Sequence, residues 1–328
     1  VTYSIVVGDL AGNPGTAVTT GSGSVTFDNT APTLTSASIT SDNSPATHAN
    51  SGDVVTVTLA ASVAISQPVV TFKSGGNAVS DGSITYAGSG ANWTAAYTAG
   101  ASDTEGAVSF VIAYSDLAGN AGTNVTSVTN ASSVTFDKTA PTLASASIAS
   151  DYSTNTLAST NDEITVTLTA SEVIAQPTVT FLSGGNPITN AGAITYNNTS
   201  GNTWTAAYTA HTNDTDGAVS FTISYSDLAG NTGTNVTSVT NASSVTFDKT
   251  VPTLSGVGIV SNNPTDTLSI VNDVVTVTFT SSEAIATKVV TFLSGGDPIT
   301  NAGAITLSLI HISEPTRPLY ISYAVFCL

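Results

Sequence analysis

The chain repeats itself at a fixed long spacing. The string VTFDNTAPTL starts at Val25, VTFDKTAPTL at Val134 and VTFDKTVPTL at Val245, spacings of 109 and 111 residues. The segments Asp116–Thr139 and Asp227–Thr250 differ only at Ala121 versus Thr232, and Thr180–Thr195 and Thr291–Thr306 only at Asn186 versus Asp297. A period of roughly 20–50 residues marks a solenoid unit, whereas one of roughly 100–150 is a whole domain with its own core. The 328 residues therefore divide into the C-terminal end of a preceding domain (1–28), two whole domains (29–137 and 138–248), a truncated third (249–306), and a tail (307–328) that leaves the pattern.

Within each repeat the apolar period is two. Ile164, Val166 and Leu168 alternate with Thr165, Thr167 and Thr169; Val219, Phe221, Ile223 and Tyr225 alternate with Ser220, Thr222 and Ser224. Such alternation predicts strands with one face in a core and one in water. In the second whole repeat about seven are expected, near 142–149 (A), 162–170 (B), 177–182 (C), 193–197 (D), 203–209 (E), 217–225 (F) and 244–248 (G). Seven short antiparallel strands in a domain of this size predict an all-β fold, tandem Ig-like β-sandwiches. Trp93 and Trp204, the two Trp of the chain, fall on strand E as packing anchors.

Composition narrows the function. Lys plus Arg number 5 against 22 Asp plus Glu, a net charge of −17. Phosphate backbones need clustered cations, so nucleic acid is excluded as a partner, and adsorption to anionic membranes is disfavoured. No run reaches the roughly 18 apolar residues of a membrane span. The chain starts without Met or a signal peptide, so the expected N-terminus lies upstream. Cys327 is the single Cys and forms no internal disulfide, leaving packing or metal ions to supply rigidity.

An enzyme is not expected. Before the tail the chain has two His, His48 and His211, in non-equivalent loops and with no repeated nucleophile beside them. The SGGN and SGGD strings sit in strand turns, where Gly accepts positive φ, and not before a helix where a phosphate loop would lie.

The carboxylates follow the sandwich topology. Strands A, C, E and G run away from the N-terminal pole and B, D and F run back, so the B–C and F–G loops meet beside the incoming linker. Asp137, Glu172 and Asp227 fall at that pole of the second whole repeat, and Asp53, Asp103 and Glu105 at the facing pole of the first. The next junction gathers Asp248 and Glu283 with Asp162, Asp214 and Asp216, together with Glu163. At the first junction Asp28 and Asp116 remain, but Val63 replaces the Glu, so a weaker site is expected there. Ca²⁺ takes six to eight oxygens, which clustered carboxylates and turn carbonyls can supply, with Asn120 and Asn231 of the LAGN turns as further donors. The plainer alternative is that these residues build turns and keep a Thr-rich surface soluble.

After Thr306 the second repeat continues with Tyr196 at the equivalent place, whereas here the chain reads LSLIHISEPTRPLYISYAVFCL. This segment holds the only Arg, Arg317, and the only Cys. LSLIHISEPTR resembles the in-frame translation of a transposase-type adapter from short-read sequencing libraries, and ISYAVFCL that of its far end. Residues 307–328 are therefore expected to be a read-through artefact of metagenomic assembly, and His311, Glu314 and Cys327 receive no functional reading.

The strings VTFDKTAPTL, SEVIAQPTVTF and YSDLAGNTGTNV resemble the bacterial Ig-like repeats of giant surface adhesins and biofilm-associated proteins, over residues 1–306. The resemblance rests on D-x-T-A-P at the linker, S-E after strand B and D-x-A-G-N after strand F. It implies an extracellular stalk at a bacterial cell surface, stiffened by Ca²⁺ between neighbouring repeats, holding a separate adhesive domain towards an unknown surface or cell ligand. It assigns the metal to Asp137, Glu172 and Asp227, and to Asp28, Asp116, Asp248 and Glu283, with Val63 departing from the pattern. The alternatives from the residues are an accessory Ig-like module of a secreted carbohydrate-active enzyme or protease, and direct adhesion through the repeats themselves.

Overall fold

A computed structural model describes residues 1–80, 83–189, 193–286, 288–298, 306–314 and 317–327, the last two segments by backbone course alone. The chain forms two compact units, Val1–Phe247 and Asp248–Leu328. Apart from a 3₁₀ position at Ala193, all regular structure among the described residues is strand.

In the first unit, residues 34–136 carry β1 (Leu34–Ser41), β2 (His48–Ala49), β3 (Val54–Ala61), β4 (Val69–Ser74), β5 (Asn77–Ala78), β6 (Thr85–Ser89), β7 (Asn92–Thr98), β8 (Gly106–Ala113) and β9 (Thr135–Phe136). One sheet has the order β1-β3-β7-β6 and the other β2-β9-β8-β4-β5. The first is the ABED sheet of an Ig-like sandwich, and the second holds C, F and G with two short additions. The next repeat copies it with β10 (Leu143–Ser150), β11 (Leu157–Ala158), β12 (Glu163–Ala170), β13 (Thr178–Ser183), β14 (Asn186–Pro187), β15 (Thr195–Ser200), β16 (Thr203–Thr209), β17 (Gly217–Ser224) and β18 (Thr246–Phe247). Its sheets run β10-β12-β16-β15 and β11-β18-β17-β13-β14.

The alternation explains the cores. Val55, Val57, Leu59 and Ala61 of β3 are buried while the residues between them face outwards. Ile164, Val166, Leu168 and Ala170 of β12 repeat this. Two separate clusters result, one spanning Ala37 to Phe136 and one Ala146 to Phe247. Each has a tilted ring pair across its middle, Phe72–Tyr97 and Phe181–Tyr208, both at 4.7 Å. Trp93 and Trp204 pack against the two cores without full burial.

Seven expected strands of the second repeat are present with small shifts of their ends. Two per repeat were not expected from sequence: β2 and β11, each pairing parallel with the last strand, and β5 and β14 after the Gly-Gly turns. Gly184 and Gly185 have φ of 55° and 82°. Both central residues at positive φ make the tight turn that matches strand twist, and a Cβ on Gly184 would stand 2.5 Å from the Asp216 carbonyl.

In the second unit, β19 (Leu254–Ser261) and β20 (Val274–Ser281) match β10 and β12, and β21 (Leu293–Ser294) pairs with β22 (Asp297–Pro298). The tail forms the hairpin β23 (Thr306–Glu314) and β24 (Arg317–Cys327), giving the sheet β19-β20-β24-β23. It occupies the places that β16 and β15 hold beside β12. Its alternating, β-branched residues suit an edge hairpin. No helix among the described residues is long and apolar enough to cross a membrane.

Candidate functional site at the repeat junction

Three segments of the chain meet where the first complete sandwich hands over to the second. Val134 and Phe136, both buried, anchor the end of the first, and Asp137 follows immediately. Its backbone N–H donates to the Ala49 carbonyl at 2.9 Å, and its Oδ1 accepts from the Thr139 N–H at 2.9 Å, turning the chain. Glu172 lies just beyond β12. Its neighbour Ser171 exchanges bonds with Thr142, from Ser171 N to the Thr142 carbonyl at 2.8 Å and from Thr142 N to Ser171 Oγ at 3.0 Å, which fixes the B–C loop to the linker.

Asp227 follows β17. Its Oδ1 and Oδ2 accept from the backbone N and the Nδ2 of Asn231 at 2.9 and 2.8 Å, and Asn231 Nδ2 also donates to the Asp137 carbonyl at 2.9 Å. The amide of Asn231 therefore works as a donor that locks Asp227 and the linker together. Asn120 does the same for Asp116 at 2.8 Å and the Asp28 carbonyl at 3.2 Å.

These anchors bring one carboxylate oxygen each of Asp137, Glu172 and Asp227 within 4.8 Å of one another. Asp227 is buried and the other two are half-buried. Burial, then the charges of Asp137 and Asp227, raise the pKa of Glu172 above the ordinary carboxylate value. Like-charge repulsion between neighbouring carboxylates is relieved by a proton on one member, and a cation placed between them would relieve it too. The donors are hard oxygens, which suit Ca²⁺ or Mg²⁺ over Zn²⁺ or Cu²⁺.

The first repeat closes the other side. Glu105 Oε1 accepts from Lys138 N at 3.1 Å and Thr139 Oγ1 at 2.6 Å. The Thr139 hydroxyl first, then the Lys138 N–H, hold the Glu105 pKa below its usual range. Lys138 Nζ donates to the carbonyls of Ala101 and Asp103 at 2.9 and 2.8 Å, and Asn43 Nδ2 crosses to the Leu228 carbonyl at 2.9 Å. A cleft of about 470 Å³ remains between Glu105, Thr135, Asp137, Thr139 and Glu172.

The other expected site residues serve their own turns. Asp103, buried, accepts from Ser80 N, Ser80 Oγ and Gly100 N at 2.6, 2.8 and 2.9 Å. Burial works against its ionisation, but these bonds and Lys138 outweigh it and lower its pKa. Asp214 accepts from Thr189 N and His211 N at 2.8 and 2.9 Å. Asp53 accepts from Asn50 N at 2.7 Å, and Asp162 from Ser159 N and Oγ at 2.6 and 2.9 Å. Asp216 lies in the turn before β17, with its carbonyl against Gly184. Asp28 and Asp248 cap Thr30 N and Thr250 N, each at 2.9 Å. Glu283 follows β20 as Glu172 follows β12, its N–H reaching Ser281 Oγ at 3.5 Å. Val63 is exposed at the Glu172 position of the first repeat. Sequence reasoning missed Lys138, whose role appears only once the linker is seen lying against the 100–103 turn.

The topology makes the protein a tandem array of Ig-like domains. No family model matches the chain, and no curated protein does. Among solved structures it is similar to a three-Ig structure of titin domains I67–I69, an E-to-A variant, at 10% identity over 90% of this chain and 88% of that one, with a TM-score of 0.37. It is similar to the Ig1–2 module of the Drosophila receptor protein tyrosine phosphatase DLAR at 11% identity over 67% and 99% of the two chains, TM-score 0.21. A third is titin Z1Z2 in complex with telethonin, at 14% identity over 68% and 98%, TM-score 0.23.

Proposed function

We propose that this chain is a non-enzymatic segment of an extracellular stalk in a bacterial repeat adhesin. In this reading each repeat is a domain, and Ca²⁺ stiffens the junctions between neighbours. The stalk supports cell adhesion or biofilm formation by holding an adhesive domain, outside this sequence, towards its ligand. The observation that supports it is that one carboxylate oxygen each of Asp137, Glu172 and Asp227 lies within 4.8 Å of the others at a domain junction, beside a cleft lined by Asp137, Glu172 and Glu105 of the preceding repeat. Asp137, Glu172 and Asp227 would hold the ion, which neutralises their mutual repulsion and ties the linker to the B–C and F–G loops.

The test is melting and small-angle X-ray scattering of residues 29–248 with Ca²⁺ and with chelator. A higher melting temperature and a narrower spread of interdomain distances are expected with Ca²⁺. An unchanged melting temperature and unchanged scattering would overturn the metal role. We also propose that residues 307–328 are adapter-derived. Amplification of source DNA across the codon for Thr306 tests this, and native sequence running into LSLIHIS would refute it.

A further inference from the structure

The joint between the two complete repeats is tied by the protein's own hydrogen bonds. Along the linker, Asp137 N donates to the Ala49 carbonyl at 2.9 Å and Lys138 N to Glu105 Oε1 at 3.1 Å, both in the first repeat. Thr139 N donates to Asp137 Oδ1 at 2.9 Å, and Thr142 N to Ser171 Oγ of the second repeat at 3.0 Å. A segment whose N–H groups are committed on both sides has little freedom to bend without breaking them. Neighbouring domains otherwise move against each other by default, unless an interface holds them.

A second contact lies off the linker. Asn43, between β1 and β2, is half-buried, and its Nδ2 donates to the Leu228 carbonyl of the next repeat at 2.9 Å. Only the nitrogen end of an amide can face a carbonyl, so the bond has one polarity. Asn50 stands beside it: a Cβ built on Gly230 would lie 3.3 Å from Asn50 Nδ2 and 4.0 Å from Asn43 Oδ1. Gly230 has a φ of 95°, so the turn approaches both amides with a residue that carries no side chain. Each Asn is held by its own repeat, Asn43 N donating to Ser41 Oγ at 3.2 Å and Asn50 N to Asp53 Oδ2 at 2.7 Å. Both lie outside the carboxylate group of Asp137, Glu172 and Asp227, so this contact does not require an ion.

We propose that Asn43 is a positioning residue of the joint: it recognises the F–G turn of the repeat that follows and holds the two sandwiches at one angle with no ion present. The partner this pole fits is a turn that offers a carbonyl at its Leu and a Gly two residues on. The accepting turn is the same in both complete repeats, since Ser115–Asn120 and Ser226–Asn231 both read SDLAGN. The donating side differs. Aligned on Ser41-Asp42 and Ser150-Asp151, the second repeat has Tyr152 in place of Asn43 and Ser159 in place of Asn50. Neither replacement carries an amide N–H on its side chain. The complete repeats are therefore not interchangeable as predecessors, and the order of neighbours is written in the donor and not in the turn that receives it.

The experiment is a spin-label distance measurement on the full chain in chelator. Labels go at Thr58→Cys in the first repeat and Asn197→Cys in the second, both exposed, in a Cys327→Ser background. No ion is present in any arm, so the calcium reading can fail without changing the result. With Asn43 in place, one narrow distance distribution is expected. Asn43→Asp keeps the shape of the side chain but sets an oxygen against the Leu228 carbonyl, and Asn43→Tyr installs the residue of the second repeat. Both variants are expected to broaden or displace the distribution while both repeats stay folded, because Asn43 belongs to neither core. A broad distribution with Asn43 in place would overturn the proposal. So would either variant giving the same distance and width as the chain that keeps Asn43.

Discussion

Replacing Glu172 by Gln should stabilise the second repeat without calcium and destabilise it with calcium. In chelator the argument is like-charge repulsion. Glu172 forms two of the three carboxylate pairs at the junction, each with oxygens within 4.8 Å. At that distance a pair of unit charges repels by about 1 kcal/mol in a water-like dielectric and about 3.5 kcal/mol at an effective dielectric of about 20. Glu172 is half-buried and salt screens it, so the lower figure applies, and taking up a proton limits the penalty further. With two pairs near the water-like figure, the expected gain on neutralising it is about 1–2 kcal/mol, at roughly 4–8 °C per kcal/mol for a domain near 100 residues.

With Ca²⁺ the sign reverses, because Gln supplies a weaker ligand and no charge. An ion at a hundredfold over its dissociation constant stabilises the folded state by about 2.7 kcal/mol, and much of that is lost with Glu172. The assay is thermal melting followed by Trp204 fluorescence in a Trp93→Phe background, which confines the signal to the second repeat. A shift of the same sign in both media, or no shift in either, would refute the account of the junction.

The pH dependence of the same variant follows by linkage. The folded pKa of Glu172 is raised, so the stability it contributes is full below its unfolded value near 4.5 and is lost as pH rises through the folded value. In chelator the advantage of Glu172→Gln over wild type should shrink to nothing as pH falls towards 4.5, and urea titrations at a series of pH values would show it. Lys138→Met removes two ammonium bonds to the carbonyls of Ala101 and Asp103. Because Lys138 is exposed, a loss of only about 1 kcal/mol from the first repeat is expected, with broader interdomain distances by spin-label measurements. Gly233→Ala should cost the second repeat about 1–3 kcal/mol through overpacking. Its Cβ would stand 2.3 Å from Tyr225 Cε2 and 2.8 Å from the Pro141 carbonyl, so the guanidinium midpoint of that repeat alone should fall.

Period-two alternation made the long strands legible: Ile164 to Ala170 read as half-buried and pack so. The two-residue strands β2, β5, β11 and β14 carry no periodicity, and their pairing is set by tertiary neighbours. Topology also brought the right loops to one pole, which places Asp137, Glu172 and Asp227 together. It could not separate carboxylates that face the cleft from those consumed by their own turns. Asp103 and Asp53 share the junction by sequence, and their oxygens accept from their own turns without an oxygen grouped with those of Asp137, Glu172 and Asp227, although Asp227 also accepts from its own turn. That distinction depends on side-chain direction, which spacing along the chain does not encode. For the same reason the donor role of the Asn231 Nδ2, to Asp227 and to the Asp137 carbonyl, was not legible in the sequence.

Within the linker and the B–C and F–G loops, one acidic position separates the two junctions. The Asp–Asn bond pair recurs as Asp9–Asn13, Asp116–Asn120 and Asp227–Asn231, at 2.8 Å between side chains each time. It is present in residues 1–28 as well, so the turn carries its own side-chain hydrogen bond at all three places. The linker bond from the Asn amide to the preceding Asp carbonyl is also common to Asn120 and Asn231. What differs is Val63 against Glu172. Val63 is exposed, so Val63→Glu adds a carboxylate at the position equivalent to Glu172 with no loss of core packing. The expected outcome is a calcium-dependent rise in the melting temperature of the first complete repeat, absent in wild type and abolished by chelator. If Val63→Glu gave no such rise while Glu172→Gln abolished the effect in the second repeat, the glutamate would be insufficient, and the facing pole would have to supply the difference.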